Sequence, residues 1–407
     1  MKILIVSQYY YPEQFQINEI APELIRRGHE VTVVCGLPNY PKGKIFEGYG
    51  TEDGRRKMED EYFQRTGVKV IHCNNVPRGH NPLALVWNYI SFYRNANKVV
   101  DALPDDYDVV LCYQLSPITM ALPAIRYKER TGTPLLLYCL DIWPESALAH
   151  IPFKKGLLYK YIKRLSARAY NACDKILVTS KPFIRYLSNK LRVPHGRMGY
   201  LPQHADGSML NENLAKTEND GLVHFMYAGN MGAGQTLDVI IRAASLLTEH
   251  NDYVIDMVGD GSKRKELEDL VKQFGLENKV IFHGNQKRAD MPSFYRKADV
   301  LLITLRGNNA VGNTMPGKLQ TYMTVGKPIL GAISGAAKEV IEESQCGNCV
   351  KAGDYEGLAR LMDFYIKHPK EYDVCGKNAR NYFRKNFTLE KYMDGLEAEL
   401  QKLIIDN

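Results

Sequence analysis

A short apolar run, an amphipathic helix and a second apolar run open the chain, in the segment KILIVSQYYYPEQFQINEIAPELIRRGHEVTVVCG. Ile17, Ile20, Ala21, Leu24 and Ile25 fall on one helical face, and Arg27-Gly28-His29 supplies a tight turn capped by glycine. Two strands joined by a right-handed helical crossover lie parallel. A parallel sheet needs helices on both faces, so this opening commits the chain to a layered α/β domain. Further strand-like runs at Val68 to His72, Val109 to Tyr113, Leu135 to Leu140 and Lys175 to Thr179 predict one doubly wound domain. After the linker-like stretch Leu201 to Gly221 the pattern restarts. Strands are expected at Val223 to Ala228, Val254 to Val258, Val280 to His283 and Val300 to Thr304, with helices over Thr236 to Leu247 and Lys263 to Phe274. A chain of 407 residues is too long for one ordinary core. We therefore expect an N-terminal domain over residues 1–205, a C-terminal domain over 206–385, and a closing helix over 386–407 that packs back on the first domain.

In open parallel sheets ligands gather outside the C-terminal strand ends, and the unusual residues of the first half cluster there. Ser7 to Pro12, Gly36 to Gly43, Gln114 to Pro117 and Asp141-Ile142-Trp143-Pro144-Glu145-Ser146 each follow a strand, which gathers them at one mouth. In the second half, the stretch from Asn313 to Ser344 holds two helix starts around a buried strand. Pro316 suits a first helical position, Lys318 to Thr324 a short helix, Gly326 its cap and Ile329 to Ile333 the strand. Ser334-Gly335-Ala336-Ala337 then opens the next helix, where small residues let an anion approach unpaired backbone N–H groups. Gly229-x-x-Gly232-x-Gly234 has the wrong order of spacings for a dinucleotide fingerprint and fits a bare anion-binding loop better.

Charge is unevenly placed. Residues 1–205 hold 28 Lys/Arg against 18 Asp/Glu, and the remainder 25 against 28, so the basic excess is N-terminal. The segment FKKGLLYKYIKRLSARAYN, residues 153–171, carries Lys154, Lys155, Lys160, Lys163, Arg164 and Arg168 with no acid. Its apolar stripe is Leu158, Ile162, Leu165 and Ala169. Two readings stand: a core-packed helix with a solvated basic face, or a face against anionic lipid at the inner surface of a membrane. Nucleic acid is not expected as a partner, since no aromatic stacking positions interleave with the basic residues. Eight scattered cysteines do not form a disulfide framework, and Cys346-Gly-Asn-Cys349 lacks the second pair a zinc site needs. The chain begins on a strand and has no apolar run of about 18 residues, so a cytoplasmic protein, peripheral at most to the membrane, is expected.

Taken together and in order, these residues resemble the retaining glycosyltransferases of family four with the GT-B fold, especially bacterial capsule and O-antigen members. The resemblance rests on Tyr11-Pro12, Gly28-His29-Glu30-Val31-Thr32-Val33, Pro38-Asn39-Tyr40-Pro41 and Asp141-Ile-Trp-Pro-Glu145-Ser146 in the first half. In the second it rests on Tyr227-Ala228-Gly229-Asn230, Gly259-Asp260-Gly261, Pro316 with Lys318, and Gly326-Lys327-Pro328. It implies two Rossmann-like doubly wound domains facing each other across a cleft. It also implies transfer of a sugar, an N-acetylated aminosugar in this subgroup, from a UDP-sugar to a lipid-linked oligosaccharide. Stereochemistry is retained, and neither a metal nor a bound cofactor is required.

By that resemblance Lys318, Asn313, Thr321, Gly335 and Ala336 surround the donor, with Gly232, Gly234 and Gln235 in the facing loop. Tyr10, Asn39, Ser116 and Glu145 surround the acceptor, and Asp141 with Lys318 carries the chemistry. The chain departs from the family's pattern where two Glu residues are usual, at Asn313 and Thr321, and where Arg and Lys are usual, at Asn230 and Gln235. Neutral groups there bond more weakly than ionised ones. A nucleotide-sugar epimerase on the same fold, and a non-catalytic protein that binds sugar nucleotides, are the alternatives.

Overall fold

The computed structural model describes residues 1–79, 81–149, 156–216, 220–307 and 315–406. Asn313 and the start of the basic segment, residues 153–155, lie outside them. The chain divides into two compact units, Met1–Leu201 with Met393–Asn407, and Pro202–Tyr392.

The first unit is a seven-stranded parallel sheet. Its strands are β1 (Lys2–Val6), β2 (Glu30–Gly36), β3 (Lys69–Cys73), β4 (Val109–Gln114), β5 (Leu135–Cys139), β6 (Lys175–Val178) and β7 (Met198–Tyr200). Between them run α1 (Ile17–Arg26), α2 (Glu52–Thr66), α3 (Pro82–Ala102), α4 (Leu122–Thr131), α5 (Leu157–Ala172) and α6 (Lys181–Leu191). Strand order is β3-β2-β1-β4-β5-β6-β7, with Ile3 of β1 opposite Val31 on one side and Val109 on the other. On one face Val6, Val110 and Leu137 pack with Phe92 of α3, Ala124 of α4, Tyr170 of α5 and Phe183 of α6.

The second unit has six parallel strands, β8 (Val223–Ala228), β9 (Tyr253–Val258), β10 (Val280–Gly284), β11 (Val300–Thr304), β12 (Ile329–Ala332) and β13 (Gly347–Val350). Its helices are α7 (Asp238–Ala244), α8 (Arg264–Gln273), α9 (Met291–Lys297), α10 (Gly317–Val325), α11 (Ala336–Ser344), α12 (Tyr355–Lys367) and α13 (Cys375–Asn386). The order is β10-β9-β8-β11-β12-β13. Successive side chains of a strand point to opposite faces, and two cores follow. Phe225 and Tyr227 pack on the α7 and α12 side, while Met226 and Ala228 pack on the α10 and α13 side.

Several elements differ from the sequence reading. Strands β7 and β13 were not anticipated, since three or four residues containing glycine give little apolar signal. Cys346 and Cys349 flank the start and middle of β13, and burial pushes their thiols up to about 12 and about 11. Pro316 is the extended residue before α10 rather than its first helical one. Helix α7 begins two residues later than expected because Thr236 takes a left-handed conformation, φ 47°. In α5 Leu158 is exposed, while Ser166, Ala169 and Tyr170 are buried. Ser166 can sit inside because its hydroxyl donates to Ile162 O at 2.8 Å, one turn back in its own helix.

The last helix, α14 (Leu389–Ile405), leaves the second unit and rejoins the first from Met393 onward. Arg27 Nη1 donates to Asp394 Oδ1 at 2.9 Å, His29 Nε2 meets Glu397 Oε1 at 2.6 Å, and Lys175 Nζ pairs with Glu399 Oε2 at 2.9 Å. Under these polar clamps Met393, Leu396 and Leu400 are fully buried. Replacing Leu396 by Ala should therefore cost about 2–5 kcal/mol, read as a lower midpoint in chemical denaturation.

Candidate functional site

Strand order reverses at β1/β4 in the first unit and at β8/β11 in the second. Helices leaving such neighbours run to opposite faces, so a crevice opens at the C-terminal strand ends. In the second unit the residues after β8, β9 and β10 and the start of α10 line a pocket of about 810 Å³.

Its floor is built by glycine. Gly229, directly after β8, has φ 142°, and a Cβ there would lie 2.8 Å from Lys318 Cε. Gly259, directly after β9, has φ 124°, and a Cβ there would overlap the Gly229 carbonyl oxygen. Two turns thus close on one another with room left for one side chain, Lys318. Tyr322, one turn further along α10, hooks that helix to the end of β8: its hydroxyl accepts from Ala228 N at 2.8 Å.

Lys318 is the chief charged group here. Its Nζ stands 3.5 Å from the centroid of the Tyr227 ring and 3.3 Å from Gln235 Oε1. Burial pushes the amine down from the ordinary 10.5 to about 7, and the positive end of the α10 dipole acts in the same direction. The Tyr227 ring face favours the ammonium form, and its hydroxyl donates to Asn230 O at 2.7 Å. The loop after β8 is also tied to β11, since Gln235 O accepts from Thr304 Oγ1 at 2.5 Å and Gly234 O from Arg306 N at 2.9 Å.

The structure brings Lys318, Gln235 and Thr321 to this pocket or its edge, with Gly232 and Gly234 in the adjoining loop. Thr321 Oγ1 donates to Gly317 O at 3.3 Å within its own helix. Gly335 and Ala336 open α11 beyond the residues that line the pocket. Sequence reasoning missed Asn285 and Gln286 after β10, and Met291 and Tyr295 on α9, which complete the wall. Asn285-Gln286 had no signal except its place after an apolar run. Asp260, noted only as part of Gly259-Asp260-Gly261, accepts from Gly261 N at 2.7 Å and from Arg264 Nη1 at 3.2 Å.

The mouth of the first unit is arranged separately. The ends of neighbouring strands β4 and β5 place Ser116 beside Asp141, so that Ser116 Oγ donates to Asp141 Oδ2 at 2.6 Å. Trp143 Nε1 donates to the same Ser116 Oγ at 3.0 Å, and Gln114 Nε2 and Tyr170 OH both donate to Asp141 O. Ser116 thereby holds one carboxylate oxygen, while Gln114 and Tyr170 hold the main chain of Asp141. Glu145 Oε1 accepts from Tyr159 OH at 3.0 Å and Tyr186 OH at 2.6 Å. Burial, and then the Glu145 carboxylate, push the Tyr186 phenol up.

Tyr10 and Asn39 were expected to face a ligand, and the structure gives their polar atoms to the protein instead. Tyr10 is buried with its hydroxyl 3.0 Å from Tyr62 OH. Asn39 is buried with Nδ2 donating to Leu37 O and Oδ1 accepting from Arg78 N. The residue that organises this loop is Glu13, which the sequence reading passed over. Its Oε1 accepts from the backbone N–H groups of Asn39 and Tyr40, both at 2.6 Å, and burial pushes its carboxyl up to about 7. Four X–Pro bonds at these strand ends are cis: Tyr11-Pro12, Tyr40-Pro41, Ser116-Pro117 and Trp143-Pro144.

Comparison with known proteins agrees with this geometry. Residues 15–206 match the family described as Glycosyltransferase Family 4, and residues 211–382 match Glycosyl transferases group 1. A probable glycosyltransferase of Pseudomonas aeruginosa, WbjE, is 25% identical over 262 residues, 60% of this chain and 62% of that one. WcaI of Escherichia coli, a putative colanic acid biosynthesis glycosyl transferase, is 25% identical over 425 residues, 98% of this chain and 100% of that one. The fold is shared with Anabaena HepE, solved in complex with UDP, at a TM-score of 0.69 and 16% identity over 98% of this chain and 99% of that one. With both halves matched and the two parallel-sheet units in place, the chain belongs to the family-four-type glycosyltransferases of the GT-B fold.

Proposed function

We propose that the chain moves a sugar from a UDP-sugar, held in the pocket of the second unit, to a lipid-linked saccharide during assembly of a bacterial surface polysaccharide. Retention of configuration and independence of metal belong to the same reading. The observation that carries it is Lys318: a half-buried amine with no ion pair among the described residues, aimed under a glycine turn at a strand-reversal crevice. Such a group costs free energy to bury, and an anionic ligand offsets that cost.

In this reading the diphosphate lies against Gly229, Asn230 and Lys318, and the base against Asn285, Gln286 and the apolar Met291 and Tyr295. As the bond between the anomeric carbon and the bridging oxygen breaks, its electron pair stays on the diphosphate, and the Lys318 ammonium meets that charge. The incoming hydroxyl adds to the anomeric carbon and passes its proton to the departing diphosphate. Asp141, held by Ser116, orients that hydroxyl or stabilises positive charge at carbon. Glu145 and Ser116 shape the acceptor side. The relatives named for colanic acid synthesis and the nucleotide seen in HepE support this assignment.

Thermal-shift and transfer assays over a panel of UDP-sugars, N-acetylated aminosugars first, test the reading. No stabilisation by UDP and no transfer from any donor, with or without added divalent metal, would overturn it, and isomerised donor without acceptor would indicate an epimerase.

Two sharper outcomes follow from the geometry. Above about pH 7 the free site holds a neutral Lys318, and binding a diphosphate must recruit a proton. UDP affinity should therefore be level below about pH 7 and fall by up to about tenfold per pH unit above it, with proton uptake visible by calorimetry in buffers of different ionisation enthalpy. Lys318→Met should bind more weakly at pH 7 and lose that slope; a flat wild-type profile would remove Lys318 from the diphosphate site. Asp141→Asn should lower the transfer rate by about 10²–10⁴-fold while leaving UDP affinity unchanged, and Ser116→Ala should show a smaller loss of the same kind.

A further inference from the structure

The pocket of Lys318 lies at the C-terminal strand ends of the second sheet. At the opposite end, where β11 and β12 begin, is a separate cavity of about 220 Å³. Asp299 precedes β11 and Lys327-Pro328 precedes β12, and Leu301 N donates to Pro328 O at 2.9 Å, so Asp299 and Lys327 leave adjacent strand starts. Tyr365 of α12, Tyr372 and Asp373 before α13, and Gly376 in its first turn face them across the cavity. Gly326, which caps α10 with φ 75°, and Gly376 meet backbone to backbone, since a Cβ at Gly376 would overlap the Gly326 carbonyl oxygen. That contact brings the start of α13 against the residue before Lys327.

Lys327 is half-buried, and its amine has neither an ion pair nor a hydrogen bond among the described residues. Burial pushes it below the ordinary 10.5; Asp299 opposes that shift, while Lys216 and Arg380 reinforce it. Asp299 is already engaged, because its Oδ2 accepts from Lys216 Nζ at 2.7 Å and from His224 N at 2.8 Å. Arg380 is engaged as well: Nε donates to Thr324 O at 3.1 Å and Nη2 to Val325 O at 3.0 Å, the last carbonyls of α10. Three cations thus stand around two carboxylates, and the second of these, Asp373, is exposed at the rim. The rings of Tyr365 and Tyr372 meet edge to face at 5.1 Å, and their hydroxyls have no hydrogen bond among the described residues. Burial pushes both phenols up, Tyr372 to about 12, so each keeps a proton to donate.

We propose that this cavity is a second anion site, which binds inorganic phosphate or a small phosphomonoester through the Lys327 ammonium and the Tyr365 and Tyr372 hydroxyls. An unpaired amine costs free energy to bury, and a charge-assisted bond to an anion offsets that cost. The volume corresponds to about seven waters and falls below the roughly 300–1,000 Å³ of pockets for larger ligands, which leaves room for a phosphate and not for a nucleotide. The cavity is no extension of the first pocket either. Lys318 stands at the start of α10 and Lys327 just past its end, so that about 13 Å of helix separates them. One short helix therefore holds a lysine toward an anion site at each end, and the ligand of this cavity stands apart from the proposed reaction.

The test uses the full chain, with inorganic phosphate compared against chloride at matched ionic strength, and reads thermal stability and calorimetry. Phosphate should raise the Tm by mass action. It should still bind, at one equivalent, when UDP is saturating, and it should still bind Lys318→Met, which lacks the amine of the other pocket. Lys327→Met should weaken phosphate binding at least about tenfold, and Tyr372→Phe, which keeps the ring in place, about fivefold. Circular dichroism verifies that both variants fold. Glycerol 3-phosphate, measured in the same way, separates the two sources: tighter binding than inorganic phosphate identifies an ester, and weaker binding the free anion. No transfer is needed, so a failed transfer assay leaves this result standing and the reverse also holds. Stabilisation no greater than that by chloride, binding that UDP or Lys318→Met abolishes, or binding that neither Lys327→Met nor Tyr372→Phe weakens would overturn the inference.

Discussion

Neighbouring parallel strands whose helices depart to opposite faces cannot cover their own C-terminal ends. That one constraint decides where this chain can bind anything. It acts twice, at β1/β4 and at β8/β11, and the two crevices are furnished in opposite ways. The first is walled by side chains that hold one another: Trp143 bonds Ser116, Ser116 bonds Asp141, and Glu145 takes two tyrosine hydroxyls. The second is floored by backbone, because Gly229 and Gly259 bring two turns so close that a side chain at either would collide. A side-chain wall suits recognition of hydroxyls in many orientations. A backbone floor with one amine behind it suits a diphosphate.

Lys318 shows why the second arrangement holds its charge in reserve. In the closed glycine turn the amine is half-buried, faces an aromatic ring and an amide oxygen, and sits at the positive end of its own helix. Burial and the helix end oppose protonation, while the ring face and the amide oxygen favour it. In the proposed reading the same burial that weakens the free cation strengthens it against a bound anion, since the low dielectric magnifies the final pair. Asn230 and Gln235 carry no charge: Asn230 anchors Tyr227 through its main-chain oxygen, while Gln235 anchors Lys318 through its side chain and the loop to β11 through its main-chain oxygen.

Most parallel strands and several helices were legible because apolar runs and one-sided helices leave a periodic signal. Elements without that signal were lost. β7 and β13 are short and glycine-containing, and α5 buries Ser166 while exposing Leu158, an inversion that depends on a hydroxyl bonding back to its own helix. Within the candidate site, the Ser116–Asp141 neighbourhood could be read from position after strands, and Lys318 from a helix start together with the family resemblance. Glu13 could not, because its role is to accept two backbone N–H groups from a loop more than 25 residues away. Tyr10 and Asn39 illustrate the converse error: both follow strands, and both are consumed by the scaffold.

The same asymmetry bears on the missing acidic residues. A carboxylate in the place of Thr321 would sit one turn from Lys318 on α10, inside the same pocket. Beside a half-buried amine it would form an ion pair, hold the lysine charged and compete with an incoming diphosphate. In a site whose loop supplies cations of its own, that competition is tolerable because other charges remain. Here Lys318 is the chief cation, and a neutral threonine whose hydroxyl is satisfied by Gly317 O leaves it available. In the proposed reading, the neutral groups at Asn230, Gln235 and Thr321 together leave Lys318 as the chief cation that an anionic ligand meets.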